Sequence, residues 1–184
     1  QLTAPALVER LLHRCEAVGA VLVVDECFLD FLPQGDALSA KRLLKTSRHL
    51  ILLKAFTKLY GMAGVRLGYC ICSDAERLAR MQAAGQPWAV SGLAQAAGIA
   101  ALDETAYVAQ VRALVADQRP FLAGGLRALG LRVVPGRANY LLFQGPASLG
   151  DALMHKGAVL RSCGNYPGLD SSWYRTAVRT EAEN

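Results

Sequence analysis

Short apolar runs alternate with amphipathic segments through the first part of the chain. Apolar side chains recur at helical spacing over residues 7–15, which predicts a helix with Thr3 as its N-cap, Pro5 in its first turn and Gly19 at its end. The segment 21–26 opens with an unbroken, mostly β-branched run and predicts a strand buried on both faces, as in a parallel sheet. Further strands are predicted over residues 50–53 and 65–72, and a short helix over residues 38–46. This alternation of helix and strand is typical of an α/β fold.

From Asp74 onward, longer helical segments come first and short strands follow. The predicted helices cover residues 75–84, 91–102, 104–129 and 148–156, and the predicted strands cover residues 131–134, 139–143, 158–161 and 174–178. Pro120 lies inside the longest helix and predicts a bend there. We place a domain boundary inside this helix, so that residues 1–110 form one domain and residues 111–184 form a small α+β domain.

The composition narrows the class of protein. Of the 184 residues, 53% are hydrophobic and 19% are charged, which is enough apolar material for a packed core and too little charge for a disordered chain. The apolar runs are far shorter than the ~20 residues that a membrane span needs. The net charge of +5 is spread over the chain without basic–aromatic clusters, so we expect no nucleic-acid or membrane partner.

The cysteines and histidines favour no metal site. There are five cysteines and three histidines, with no C-x-x-C motif and no metal-like spacing. Neither a disulfide framework nor a zinc site is expected. No secretory signal is visible, so the expected compartment is the reducing cytoplasm.

Polar side chains follow the first two predicted strands, at the edge of the sheet where α/β proteins bind ligands. Asp25 ends the first strand, residues 54–58 follow the second, and Arg66 lies inside the third. A lysine can form a Schiff base, a carboxylate can keep a pyridinium nitrogen protonated, and an arginine can grip a phosphate. These groups together fit a pyridoxal-phosphate site. The alternative is a structural ion pair between Asp25 and a lysine, with Arg66 extending to solvent.

Two motifs in this region point to one family. The stretches VVDECFLDF over residues 23–31 and FTKLYGMAGVRLGY over residues 56–69 resemble the class I/II aminotransferases, a family of pyridoxal-phosphate enzymes. The spacing between Lys58 and Arg66, with its glycines, is highly specific for that family. The stretches 138–143 and 160–180 resemble the branch that holds threonine-phosphate decarboxylase and histidinol-phosphate aminotransferase.

The resemblance covers the whole chain and implies the fold type I architecture. That architecture has a large domain with a mainly parallel sheet and helices, followed by a small α+β domain. Residues 1–110 would be the C-terminal part of the large, pyridoxal-phosphate-binding domain, and residues 111–184 would be most of the small one.

The resemblance assigns cofactor contacts to the first domain. Lys58 would be the Schiff-base lysine and the proton shuttle, Asp25 would pair with the pyridine nitrogen, and Arg66 would bind the cofactor phosphate. Thr57 keeps a hydroxyl next to the lysine, although many relatives carry a further phosphate-binding hydroxyl where this chain has alanine. Phe28 stands where many relatives have a tyrosine that contacts the cofactor ring oxygen, and phenylalanine there is common among the threonine-phosphate decarboxylases.

The resemblance assigns substrate contacts to the second domain. Arg175 would hold the substrate carboxylate, Arg161 would be a second anion contact for a substrate phosphate, and Arg179 would be a further one. The sequence around Arg161 and the Arg-x-x-x-Arg pattern of Arg175 and Arg179 resemble the decarboxylase more than the aminotransferase. We therefore expect a decarboxylase that converts O-phospho-L-threonine to aminopropanol phosphate in cobalamin biosynthesis, with histidinol-phosphate aminotransferase or a related aminotransferase as the alternative.

The chain lacks several parts that family members carry. The upstream phosphate-binding turn, the aromatic residue that stacks on the cofactor and an Asn-Pro segment have no counterpart in it. We therefore expect a fragment that is inactive by itself, and a further alternative is an inert chain that only associates with a partner. Family members are homodimers, so the complete protein is expected to be one.

Overall fold

The computed structural model describes residues 2–184 and divides into two units, Thr3–Gln110 and Val111–Asn184. Each unit has its own sheet and its own hydrophobic core. The division falls within one long helix, Thr105–Ala128 (α5), which contains Pro120.

The first unit contains a three-stranded sheet in the order β1-β2-β3. Its strands are Leu22–Asp25 (β1), Leu50–Ala55 (β2) and Gly68–Ile71 (β3). β1 and β2 are parallel, with Asp25 opposite Leu53, whereas β3 is antiparallel to β2. A parallel crossover usually needs a helix, and the segment between β2 and β3 contains only a 3₁₀ turn, so the chain reverses there.

Helices cover one face of this sheet. The α-helices of the first unit are Pro5–Ala17 (α1), Gly35–Leu38 (α2), Ala75–Ala84 (α3) and Gly92–Leu102 (α4). Val8 and Leu12 of α1 pack with Leu50 and Leu52 of β2 in the core, where Leu50 and Leu52 are completely buried. Leu22 and Val24 of β1 pack against the same cluster, so the even-numbered residues of β1 face α1.

Three local predictions for this unit are wrong. β1 is not buried on both faces, because burial alternates along it and Val23 is 53% exposed. The reason is that, within the described residues, the helix packing against the even-numbered face leaves Val23 and Asp25 open on the other. The N-cap of α1 is Ala4 without a side-chain hydrogen bond, not Thr3. The helix predicted over residues 38–46 is instead the short α2 followed by a 3₁₀ helix, Ala40–Lys45.

The second unit contains a four-stranded antiparallel sheet in the order β4-β5-β7-β6. Its strands are Arg132–Val134 (β4), Tyr140–Gln144 (β5), Arg161–Ser162 (β6) and Trp173–Ala177 (β7), and Leu149–Met154 (α6) lies between β5 and β6. Ala123 of α5 packs with Leu141 and Val178 in the core of this unit. Phe143 and Tyr174 are buried on the same face of the sheet as Leu141.

The sequence predicts the helices of residues 75–102 and the long α5 to within a residue or two. It extends β6 too far, since the strand predicted over residues 158–161 consists of Arg161 and Ser162 alone. Among residues 2–184, no helix combines the length and the apolar character that crossing a bilayer requires. The five cysteines are free thiols.

Candidate active site

Asp25 is the last residue of β1, and its exposed carboxylate lies on the sheet face opposite α1. Its Oδ1 accepts a hydrogen bond of 2.9 Å from the backbone N–H of Cys27, which fixes the carboxylate in the turn after the strand. Within residues 2–184, no lysine or arginine forms an ion pair with Asp25. The structural ion pair considered for this residue is therefore absent from the described part of the chain, and the carboxylate is open to a ligand.

Lys58 lies in the loop after β2, and its side chain is exposed. The loop is held from inside, because the buried Phe56 stacks on Tyr60 with 5.2 Å between ring centroids. The backbone N–H of Gly61 donates a hydrogen bond of 3.1 Å to the carbonyl of Lys58. Lys58 Nζ lies 5.3 Å from the centroid of the Phe28 ring, so the ammonium group rests on an aromatic face.

The partly buried thiol of Cys27 shows that Asp25 and Lys58 act on one place. Burial, together with the hydrogen bond and the charge of Asp25, raises the pKa of Cys27 to about 11, and the charge of Lys58 opposes this rise. The structure thus brings Asp25, Phe28 and Lys58 together around Cys27. Thr57 is partly buried and precedes Lys58 directly.

Arg66 does not lie inside a strand, as the sequence predicts, but in the turn before β3. Its backbone is left-handed, with φ 58° and ψ 47°, after a 3₁₀ turn over Ala63–Val65. An L-residue other than glycine costs ~1–2 kcal/mol in this conformation. The side chain is exposed, and its Nη1 donates a hydrogen bond of 3.0 Å to the carbonyl of Ala63. The turn therefore holds a guanidinium at the surface at some cost in backbone energy, which is typical of a functional position.

A buried network next to these residues escapes the sequence prediction. Glu26 is 5% exposed, and it accepts hydrogen bonds of 2.8 Å from Ser39 Oγ and from the backbone N–H of Ala40. Lys54 Nζ lies 3.3 Å from Glu26 Oε2 and 2.8 Å from Asp30 Oδ1. Although burial by itself lowers the pKa of Lys54, its contacts with Asp30 and Glu26 outweigh burial and raise it. Lys54 is therefore a structural cation, distinct from the open Lys58.

The second unit carries an arginine pair on its sheet. Arg161 of β6 and Arg175 of β7 are register partners, so both side chains leave the same face, with Cα atoms ~5 Å apart. The Arg175 guanidinium lies 5.2 Å from the Tyr140 ring centroid, and that of Arg161 lies 5.9 Å from the Tyr166 centroid. Like charges at such positions destabilise a sheet, so this pair is suited to an anion.

Arg179, the third predicted substrate contact, has a carboxylate partner in the structure. Its Nη1 lies 2.9 Å from Glu183 Oε1, and both side chains are largely exposed. Glu183 also accepts a hydrogen bond from the hydroxyl of Thr180, which closes the turn at the end of the described chain. The role of Arg179 toward a substrate stays a prediction.

The groups of the first unit suit pyridoxal phosphate as a donor set. Lys58 offers an exposed amine on an aromatic ring, Asp25 an exposed carboxylate, and Arg66 an exposed guanidinium. These are the three functions that the aldehyde, the ring nitrogen and the phosphate of this cofactor require. The residues present therefore fit the cofactor.

Comparison with known proteins agrees with this chemistry. Threonine-phosphate decarboxylase of Salmonella typhimurium is 37% identical over 97% of this chain and 50% of its own length. Histidinol-phosphate aminotransferase of Symbiobacterium thermophilum is 36% identical over 90% of this chain and 45% of its own length. The chain thus spans about half the length of the curated relatives it matches.

A solved structure and a family model complete the comparison. The crystal structure of histidinol-phosphate aminotransferase from Sinorhizobium meliloti in complex with pyridoxal-5'-phosphate superposes with a TM-score of 0.80 at 27% identity, covering 95% of this chain and 49% of that one. The family model for aminotransferase class I and II matches residues 1–184. The chain therefore belongs to the class I and II aminotransferase family, whose members depend on pyridoxal phosphate.

Proposed function

We propose that the protein containing this chain is a threonine-phosphate decarboxylase. It would be a pyridoxal-phosphate-dependent lyase that converts O-phospho-L-threonine to aminopropanol phosphate and carbon dioxide, for cobalamin biosynthesis. The observation that carries the proposal is the opposed pair Arg161 and Arg175. We infer that the complete protein acts in the cytoplasm as a homodimer, as the family resemblance implies, and its mass in solution tests the dimer.

The geometry of the arginine pair favours a short substrate with two anionic groups. Register partners on adjacent strands place their guanidinium groups only a few ångströms apart, and neither Arg161 nor Arg175 has a carboxylate partner among the described residues. An arginine fork binds a carboxylate or a phosphate with two hydrogen bonds. O-Phospho-L-threonine carries both groups on neighbouring carbons, so its two anions suit two neighbouring arginines.

The residues of the first unit would supply the chemistry around the reacting atoms. When bound, pyridoxal phosphate supplies a ring that accepts the electrons of the bond that breaks. Asp25 would hold a proton on the nitrogen that faces it, and Arg66 would bind the phosphate. Lys58 would first bond to the cofactor and then carry a proton to or from the substrate carbon. The arginines would choose the bond that breaks, because they fix the orientation of the substrate.

Phe28 supports the decarboxylase over the aminotransferase. Its ring lies beneath Lys58 Nζ and offers no hydroxyl group where many relatives have tyrosine. The pattern of Arg175 and Arg179 supports the same choice, since the aminotransferases of this branch tend to carry glycine at the second position.

Histidinol-phosphate aminotransferase is the second candidate. The observation in its favour is the 36% identity to the Symbiobacterium enzyme, nearly the 37% identity to the Salmonella decarboxylase. A third candidate is a chain without activity that only associates with a partner.

An assay of the purified complete protein separates these candidates. We expect carbon dioxide release from O-phospho-L-threonine that does not depend on a keto acid. Amino transfer from histidinol phosphate to 2-oxoglutarate, without carbon dioxide release, would instead identify the aminotransferase. An unchanged visible spectrum after cofactor addition, identical in Lys58→Ala, would identify an inert chain.

Asp25 is tested in the same assay. Asp25→Ala removes the acid that faces the ring nitrogen, so we expect bound cofactor and a large loss of rate. A rate within a few-fold of the unmodified protein would remove Asp25 from the proposed mechanism. Asp36→Ala, at an exposed acid of α2, is the matched control.

A further inference from the structure

One face of the second sheet combines arginines with aromatic rings. Strand register puts Tyr140 of β5, Trp173 and Arg175 of β7, Arg161 of β6 and Arg132 of β4 on the same face. The opposite face carries the buried Leu141, Phe143 and Tyr174. The polar face is therefore the one that can meet a ligand.

The contacts to the two central arginines are uncharged. Arg175 lies over Tyr140 and Arg161 over Tyr166, and Arg161 Nη2 donates a hydrogen bond of 3.2 Å to Asn165 Oδ1. Arg179 differs, because Glu183 pairs with it at 2.9 Å. Within residues 2–184, no carboxylate forms an ion pair with Arg161 or Arg175.

We propose that Tyr140 and Tyr166 are positioning residues that hold the Arg175 and Arg161 guanidinium planes for a phosphorylated amino-acid substrate. An arginine stacked on a ring keeps its N–H donors free at the edge of the guanidinium plane. A carboxylate partner would also fix the plane, but it would occupy those donors and cancel the charge. This inference rests on the proposed function only in its choice of substrate.

The flexible arginine side chain explains why positioning matters. Ordering a free arginine side chain costs up to ~2 kcal/mol of conformational entropy. A ring that holds the guanidinium before the ligand arrives reduces this cost, so the loss of the ring appears in the affinity for the anion. Because the reacting atoms do not touch the ring, the turnover number changes less.

The test uses the complete protein with tyrosine variants at the two positions. Tyr140→Leu and Tyr166→Leu remove the aromatic face, whereas Tyr140→Phe and Tyr166→Phe keep it. The probe is inorganic phosphate, whose binding is followed by calorimetry, and a second readout is the split between KM and kcat for O-phospho-L-threonine. Trp173→Leu is the matched control, because it removes the ring that lies 5.5 Å from Arg132 on the same face.

We expect each leucine variant to weaken phosphate binding by about three- to fivefold, as stacking at exposed sites predicts. KM should rise by a similar factor while kcat changes less than twofold, and the phenylalanine and Trp173→Leu variants should bind phosphate like the unmodified protein. Equal losses in the leucine and phenylalanine variants, or unchanged phosphate binding in all of them, would overturn the proposal. If the protein does not turn over O-phospho-L-threonine, the proposed function fails, and phosphate binding still decides the roles of Tyr140 and Tyr166.

Discussion

Two sets of an acid and a lysine lie side by side in the first unit and have opposite surroundings. Glu26 and Lys54 are buried and paired with each other, whereas Asp25 and Lys58 are exposed. Strand alternation separates the two acids, because consecutive residues of β1 point to opposite faces. On the covered face every charge needs a partner, since an unpaired buried charge is costly. On the open face a charge can wait for a ligand, so residue type alone does not reveal which set is functional.

The largest effect is expected from the open set. Lys58→Ala in the complete protein should remove the visible absorbance of the lysine-bound cofactor and lower the rate by up to ~10⁴-fold, the upper range for a positioned proton carrier. The melting temperature without cofactor should stay unchanged, because the side chain is exposed. Lys41→Ala, another exposed lysine, serves as the control. A fall in melting temperature would show that Lys58 is structural, like Lys54.

The covered set should respond in stability. Lys54→Met leaves the Glu26 carboxylate buried without a cation, and we expect the free energy of unfolding in urea to fall by about 3 kcal/mol. Lys41→Met should change it by less than ~0.5 kcal/mol. A loss below ~1 kcal/mol for Lys54→Met would mean that the network contributes little.

The thiol between the open charges gives a pH-dependent readout. With a pKa raised to about 11, the Cys27 thiolate is scarce at neutral pH. The difference in alkylation rate between the unmodified protein and Cys27→Ser should therefore rise tenfold per pH unit from pH ~8 to ~10. Asp25→Asn should lower this pKa and Lys58→Ala should raise it. A plateau near pH ~9 would contradict the closeness of these charges.

The smallest effect concerns the arginine pair. Arg161→Gln removes one of two like charges that face each other across β6 and β7, and the free energy of unfolding should rise by about 0.5 kcal/mol. Arg137→Gln, which removes an exposed arginine outside the strands, should not stabilise the protein. Loss of stability in Arg161→Gln would indicate that the stack on Tyr166 outweighs the repulsion.

Motif spacing predicts the catalytic set well. Lys58, Asp25 and Arg66 follow from their order along the chain, and the structure brings the first two together around Cys27. Their roles toward a ligand stay predictions. The left-handed backbone of Arg66 escapes the sequence, because the apolar residues on either side of it are equally compatible with a continuous strand.

The sequence does not predict contacts that depend on strand register. Glu26, Asp30 and Lys54 come from separate segments, and only the pairing of β1 with β2 brings them together. The opposition of Arg161 and Arg175 likewise requires the alignment of β6 on β7. Burial of β1 on both faces is predicted wrongly, because four apolar residues in a row do not show which face a helix covers.

β6 has only two residues, lies at the edge of its sheet and carries one member of the arginine pair. Few backbone hydrogen bonds hold it, and the repulsion between the arginines acts against those few. An anion that bridges the two guanidinium groups reverses this force and adds its binding energy to the folded state. Local opening of β6 is therefore coupled to occupancy, and slower amide hydrogen exchange at Ser162 and Cys163 would accompany substrate loading.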